Sequence, residues 1–434
     1  MMNSKLSIKK RLPQNPTHRF KNLSSHFFLI VPIGLEEAAQ NELLEWSGVL
    51  SSEFGEDARV SRLSVVKGGI EFHIHSPVVG YLFNTCLKIP SRILQRIHSF
   101  QTRDWTILEN ELKRVAWKDY FPEGISDWEI AASASRINNE KHLIDFLKEK
   151  FENKFYLKSP TSPSSPSSEP SPSSASPGIS AYLRVHDNIF TLSRDTSGEH
   201  LHLRGYRQWQ GEAPIRENLA AFLWYLLIMK TSRGEAEDAL IVDPFVGSGT
   251  LLIEAMLWNQ LVLGREFPFW AWIDEKSKEK FSKLKQRLET WNLNYLAVDI
   301  NSEMLNKLNL NLSSNSKFKS PFKNELPKSS LTCLQGDSCH MSPSQLDKIK
   351  LVQKNRPIWL VSNPPYGGKG RMKSEKSWRK LWEGALRTYQ PQWAVAVGPE
   401  RECKKGDVID RWKCLETHRF LNGGIRVIAS VWKG

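Results

Sequence analysis

Apolar residues recur along the first half of the chain at spacings that predict small α/β units. Residues 27–31 form a short apolar run that predicts a strand, and 34–48 follow a period near 3.6 that predicts an amphipathic helix ending at Gly48. Residues 63–66 and 70–75 flank a glycine turn and predict a hairpin. The same reasoning predicts helices at 77–87, 105–117 and 140–156, and strands at 92–98, 128–133, 179–185 and 189–193.

The second half alternates strands and helices in a different pattern. Its first five strands are short apolar runs without polar alternation, as expected for strands buried on both faces of a parallel sheet. Two further runs, 417–420 and 425–431, are joined by Asn422-Gly423, a hairpin signal. The fold class predicted here is α/β, with a Rossmann-like C-terminal sheet that ends in an antiparallel hairpin. The five apolar strands are expected at 239–242, 295–298, 331–335, 358–361 and 393–397.

The charge composition suggests that the protein binds a polyanion. The chain of 434 residues has 60 Lys and Arg against 47 Asp and Glu, a net charge of +13, which suggests phosphate binding. Residues 1–25 predict a disordered basic tail, and 159–178, in which sixteen of twenty residues are Ser or Pro, predict a disordered insert. No apolar run is long enough to cross a bilayer, and five scattered cysteines predict neither disulfides nor a metal site. We therefore expect a cytoplasmic protein without metal.

An acidic, glycine-rich turn follows the strand predicted at 239–242. Backbone N–H groups of such a turn approach a ligand at the helix N-terminus. The full dinucleotide pattern is missing because Leu252 replaces its third glycine, and the leading Asp243 would repel a phosphate. That acid could instead receive the ammonium group of S-adenosylmethionine (SAM). The predicted cofactor contacts in this turn are Asp243, Pro244, Phe245, Gly247, Gly249 and Thr250.

Two more acidic residues end the next two predicted strands. Asp299 could accept both ribose hydroxyls of a nucleoside, and Asp337 could accept a hydrogen bond from its adenine amino group. A lone aspartate at a strand end also serves commonly in turns and helix caps. The segment 264–287, which lies between the first two of these strands, predicts a helical lid.

Residues 363–366 (Asn-Pro-Pro-Tyr) follow the fourth of these strands and suggest the reaction. An exocyclic amino nitrogen is a poor nucleophile because its lone pair is delocalised into the ring. The Asn363 amide oxygen and the Pro364 carbonyl, set by Pro365, could hold its two hydrogens and stabilise the developing positive charge. Tyr366 offers a face on which an extruded base could stack. The chemistry predicted is direct methyl transfer from SAM.

A basic segment with two tryptophans, Trp378 and Trp382, follows this tetrapeptide. Interleaved basic and aromatic residues suit contacts with RNA, although a solvated charged helix explains the same pattern. The residues predicted to contact RNA are Lys369, Arg371, Lys373 and Arg379.

These motifs resemble the N-P-P-Y methyltransferases with a THUMP domain, most closely the bacterial guanine-N2 methyltransferases of 23S large-subunit rRNA. Additional likeness comes from Pro32-Ile33-Gly34-Leu35-Glu36, from the segments 201–207 and 213–220, and from 422–425. The resemblance implies SAM as cofactor and RNA as partner. It also implies a ferredoxin-like unit at 26–100, a THUMP domain at 101–203 and a methyltransferase domain at 204–434.

Other activities fit parts of the same pattern. A tRNA guanine-N2 methyltransferase shares the THUMP, 201–207 and N-P-P-Y features, and no residue separates rRNA from tRNA. DNA adenine-N6 and protein glutamine-N5 methyltransferases also use N-P-P-Y, but a THUMP-like first half argues against both. A non-catalytic RNA-binding or assembly factor with a methyltransferase fold is the remaining alternative, which the intact turn and tetrapeptide disfavour.

Overall fold

The computed structural model describes residues 24–122, 124–155, 179–211, 214–289, 291–313, 330–366, 378–422 and 424–434. The predicted tail and the Ser/Pro insert lie almost wholly outside these residues, as do Lys369, Arg371 and Lys373. Within the described ranges, no helix has the length and apolar character needed to span a membrane.

The N-terminal half is built on one seven-stranded sheet with the order β2-β3-β1-β4-β7-β6-β5. All neighbouring strands are antiparallel except β5 and β6. Because β4 pairs with β7, the predicted ferredoxin-like and THUMP regions share this sheet, and their boundary stays a prediction. The strands are β1 (His26–Ile30), β2 (Val60–Val66), β3 (Gly69–Ile74), β4 (Arg92–Gln101), β5 (Asp127–Ser133), β6 (Ser180–His186) and β7 (Ile189–Asp195).

Two helices of this half end at residues other than those predicted. The first helix continues past Gly48 because Leu50 and Phe54 extend its buried face. The helix predicted at 105–117 ends at Lys113, and Trp117 Nε1 donates to the Leu112 carbonyl oxygen at 2.8 Å. The helices are α1 (Glu36–Phe54), α2 (Pro77–Cys86), α3 (Trp105–Lys113), α4 (Trp117–Tyr120) and α5 (Glu140–Phe155).

The C-terminal half contains the Rossmann-like sheet that the sequence predicted. Its eight strands have the order β10-β9-β8-β11-β12-β15-β14-β13, and the first five of these run parallel. The strands are β8 (Leu240–Asp243), β9 (Asn294–Asp299), β10 (Ser330–Gln335), β11 (Ile358–Ser362), β12 (Trp393–Pro399), β13 (Val408–Ile409), β14 (Trp412–Asn422) and β15 (Ile425–Lys433). The helices are α6 (Glu217–Ile228), α7 (Arg233–Asp238), α8 (Thr250–Leu257), α9 (Glu275–Arg287), α10 (Ser302–Ser313), α11 (Pro343–Gln353) and α12 (Trp378–Tyr389).

The segment predicted as a lid joins the two halves instead. Helix α9 packs against α1, and the Arg194 guanidinium of β7 lies 3.9 Å from the centroid of the Trp272 ring. Arg265 is buried, and its guanidinium donates to the carbonyl oxygens of Ser197 and Glu199 at 2.9 and 2.8 Å. The lid prediction is therefore wrong, because this segment buries Arg265 and Trp272 against the N-terminal half.

Candidate active site

The strands β8 and β11 are parallel neighbours, so their carboxyl ends share one edge of the sheet. Asp243 ends β8 and is 1% exposed. Its Oδ1 accepts from the Phe245 N–H at 3.1 Å and from the Ser362 hydroxyl at 3.2 Å. Its Oδ2 is buried and has no hydrogen-bond partner among the described residues. Burial raises the pKa of Asp243 to about 8, so the carboxyl group must release a proton to pair with a cationic group at pH 7.

The glycine turn after β8 is held by the aspartate that ends β9. Asp299 Oδ2 accepts from the Gly247 N–H at 2.9 Å, and its Oδ1 accepts from the Asn301 N–H at 2.8 Å. Gly249 has a φ of 88°, and a Cβ there would lie 2.1 Å from Leu308 Cδ1, so only glycine fits. A Cβ at Gly247 would meet nothing within 4 Å, which leaves open space beside the turn.

Asn363 lies at the same edge, directly after β11 and next to the serine that donates to Asp243. Its side-chain Oδ1 is buried and also lacks a hydrogen-bond partner within the described part of the chain. Pro364 is buried and Pro365 is exposed. A buried amide oxygen without a donor is costly unless a ligand supplies one, so this atom is suited to accept from an amino group.

Tyr366 completes the tetrapeptide. Its ring is half-buried and packs against apolar side chains on both faces of the sheet. Its hydroxyl oxygen accepts from Asn422 Nδ2 at 2.9 Å. The ring therefore has a fixed position beside Asn363 at the end of β11.

The third predicted acid is in a turn beyond β10. Asp337 Oδ1 accepts from the Cys339 N–H at 2.9 Å, and its Oδ2 lies 3.1 Å from His340 Nδ1. Its neighbour Ser338 donates to the Pro244 carbonyl oxygen at 2.7 Å, which brings this turn against the Asp243 turn. Asp337 thus has both the local turn role and a position near the predicted cofactor edge.

The predicted RNA-binding segment is described only from Trp378 onward. Trp378 and Trp382 are 3% and 0% exposed and pack in the core, so their predicted contact with bases is wrong. Their spacing of four residues places both on the buried face of α12. Arg379 lies on this helix, and its guanidinium pairs with Glu383 at 3.1 Å and Asp407 at 3.4 Å.

A buried charged cluster connects the motif at 201–207 to helix α8. Glu254 is 0% exposed; its Oε2 lies 3.3 Å from Arg204 Nη2, and its Oε1 accepts from the Tyr206 hydroxyl at 2.9 Å. Arg204 also donates to the Lys88 carbonyl oxygen in the N-terminal half at 2.6 Å. Arg207 donates to the Thr250 hydroxyl at 2.8 Å, which ties the first residue of α8 to the same cluster.

Three residues contact the site in ways that the sequence pattern does not predict. Ser362 lies in strand β11 and its sequence context does not indicate that its hydroxyl donates to Asp243. Asn311 of α10 donates to the Ser248 carbonyl oxygen at 3.1 Å and accepts from the Trp209 N–H at 3.0 Å. Asn422 reaches Tyr366 from 56 residues away. Each acts through a long-range contact that local spacing cannot predict.

Comparison with known proteins agrees with this architecture. The family model described as UPF0020, an RMKL-like methyltransferase domain, matches residues 204–321. Ribosomal RNA large subunit methyltransferase K/L of Acinetobacter baumannii is 24% identical over 93% of the chain. The match covers 52% of the length of that relative. It covers 30% of the length of the protein with the same name from Marinomonas sp..

Solved structures share the fold. A methylase from Clostridium difficile 630 has a TM-score of 0.66 at 20% identity, covering 95% of this chain and 98% of its own. A methyltransferase complexed with SAH has the same TM-score and identity, covering 95% of this chain and 99% of its own. Residues 204–321 therefore match an RMKL-like methyltransferase domain within a Rossmann-like half, and the predicted resemblance to large-subunit rRNA methyltransferases is confirmed.

Proposed function

We propose that the protein transfers a methyl group from SAM to an exocyclic amino nitrogen of a base in RNA. The observation that carries this proposal is a pair of buried oxygen atoms, Asp243 Oδ2 and Asn363 Oδ1, that lie at one edge of the sheet and have no hydrogen-bond partner among the described residues. The first suits a cationic amino group and the second suits an N–H donor. SAM supplies an electrophilic methyl group when bound, and the transfer needs positioning more than covalent catalysis.

The chain's own residues divide this work. Asp243, Pro244, Phe245, Gly247, Gly249 and Thr250 would form the wall for the amino-acid end of SAM. Asp299 would accept from the ribose, and Asp337 would lie toward the adenine. Asn363 and the Pro364 carbonyl, aligned by Pro365, would hold the hydrogens of the target amine and stabilise its developing charge. Tyr366 would stack on the base. The fit rests on the open space at Gly247 and on the two unpartnered oxygens.

We infer that the substrate is guanine N2 in 23S large-subunit rRNA, in the cytoplasm. The relatives from Acinetobacter baumannii and Marinomonas sp. are named for the large ribosomal subunit, and the net charge of +13 favours a phosphate-rich partner. The same arrangement would hold guanine N2 in tRNA equally well, so tRNA guanine N2 is the second candidate. The methyltransferase complexed with SAH, which is what SAM becomes after methyl transfer, supports the cofactor assignment.

The deciding experiment is methylation of total RNA by the purified protein with radiolabelled SAM. We expect label in N2-methylguanosine from 23S rRNA after nuclease digestion and nucleoside chromatography. RNA from cells that lack the gene supplies unmethylated sites, and wild-type RNA is the matched control. Label in tRNA would replace the rRNA assignment, and no label in either RNA would overturn the enzymatic proposal.

Asp299→Ala is expected to weaken SAM binding by about tenfold or more. The substitution removes both the proposed ribose acceptor and the carboxylate that holds the Gly247 N–H, and hydrogen bonds to charged groups contribute about 1.5–3 kcal/mol. Isothermal titration calorimetry measures the change. Asp347→Ala, an exposed carboxylate on α11, is the control. Unchanged affinity in Asp299→Ala would remove this residue from the site.

SAM binding is also expected to depend on pH through Asp243. Its pKa of about 8 means that the free protein holds a proton there at pH 7, and pairing with the ammonium group requires its release. Affinity should therefore rise as the pH increases from 6 to 7, by up to about tenfold, because the α-amino group of SAM still carries its proton in this range. Calorimetry in buffers of different ionisation enthalpy counts the proton. Asp243→Asn should lose this released proton, and an unchanged count would contradict the pairing.

A further inference from the structure

The terminal hairpin reaches the catalytic tetrapeptide through one side chain. Asn422 is the last residue of β14 and pairs with Ile425 of β15. Its Nδ2 donates to the Tyr366 hydroxyl oxygen at 2.9 Å. The bond joins the far end of the tyrosine ring to a strand that lies three places from β11 in the sheet. The hairpin therefore contacts the hydroxyl end of the Tyr366 ring.

The hairpin is itself well anchored where it makes this contact. Side chains alternate between faces along a strand, so Asn422 shares its face with Phe420. Phe420 is buried and meets the Phe222 ring of α6 edge-on, with centroids 6.0 Å apart. Leu421 points to the opposite face and is 54% exposed. The amide of Asn422 thus extends from a packed strand and gives a rigid support.

We propose that Asn422 is a positioning residue that holds the Tyr366 ring in place against the target base. This inference rests on the proposed function, in which Tyr366 stacks on the base. A ring held only by its own side-chain bonds could still swing about the Cα–Cβ bond, whereas a hydrogen bond at its hydroxyl holds the far end of the ring in one place. A stacking partner that is already oriented needs no reordering when the base arrives.

A double-mutant cycle tests the inference. We expect Asn422→Ala and Tyr366→Phe each to lower kcat by about three- to tenfold, the range of one neutral hydrogen bond. The double variant should be no slower than either single one, because both changes delete the same bond. SAM affinity should stay unchanged in all three. Leu421→Ala, next to Asn422 on the opposite face, is the control with wild-type kcat. Additive losses would overturn the positioning role.

A second readout does not depend on methylation. In protein labelled with fluorotyrosine, the 19F resonance of Tyr366 is the one that disappears in Tyr366→Phe. Burial raises the pKa of Tyr366 and the donated hydrogen bond from Asn422 lowers it, so Asn422→Ala should move its titration to higher pH. An unmoved titration would overturn the contact. If Asn422→Ala moves the titration but the wild-type protein methylates no RNA, the contact is confirmed and the proposed function is overturned. The base-positioning role is then overturned as well.

Discussion

Asn363→Ala is expected to lower turnover on the order of 100-fold while SAM affinity stays within about twofold. The buried Oδ1 of Asn363 has no partner in the described structure, so its proposed donor is the target amine. A preorganised group that stabilises developing charge in a site of this kind is worth about 10²–10³ in kcat. Single-turnover methylation and calorimetry with the same protein separate the two effects.

The control for this variant is Asn306→Ala, an exposed asparagine in the middle of α10. It should keep wild-type turnover and SAM affinity. Wild-type turnover in Asn363→Ala would show that the amide oxygen takes no part in the reaction. A parallel loss of SAM affinity would place Asn363 with the cofactor instead of the base.

Glu254→Ala is expected to lower the free energy of unfolding by about 3–5 kcal/mol. Glu254 is fully buried and faces the Arg204 guanidinium and the Tyr206 hydroxyl, so its loss leaves a buried positive charge uncompensated. Chemical denaturation followed by tryptophan fluorescence measures the change. The second variant, Arg204→Met with Glu254→Leu, should recover part of the loss, because it removes both charges from the interior.

The matched control is Glu303→Ala on α10, whose carboxylate pairs with Lys307 at 2.9 Å on the surface. An exposed pair of this kind contributes about 0–1 kcal/mol, so its loss should change the free energy of unfolding little. Equal destabilisation by the two glutamate variants would show that the buried cluster has no special role. The buried cluster would then contribute no more to joining the two halves than an exposed ion pair does.

Local sequence information is sufficient for most strands and for the aspartates that end β8 and β9, whereas Asp337 lies in a turn beyond β10. Strands such as β8 and β11 are short apolar runs next to turn residues, and such runs are recognisable without knowledge of their partners. The parallel order then places Asp243 and Asn363 at one edge, as the motifs predicted.

The lid and tryptophan predictions are wrong because contacts with distant parts of the chain decide which of these side chains are buried. The segment 264–287 has the composition of an exposed lid, and only the N-terminal half shows what its residues, such as Trp272, pack against. Trp378 and Trp382 were interpreted from their basic neighbours, although their helical spacing already indicated a common buried face. The bond from Asn422 to Tyr366 joins separate motifs and has no local signature.

The buried joint between the halves has a consequence for how RNA would be selected. Arg204 bonds to the Lys88 carbonyl, and Arg265 bonds to carbonyl groups of the segment after β7, so the first half is not tethered loosely to the second. A rigid connection fixes the span between any surface of the first half and the base pocket. Under the proposed function, an RNA would therefore need the element bound by the first half and its target base at one set separation in space.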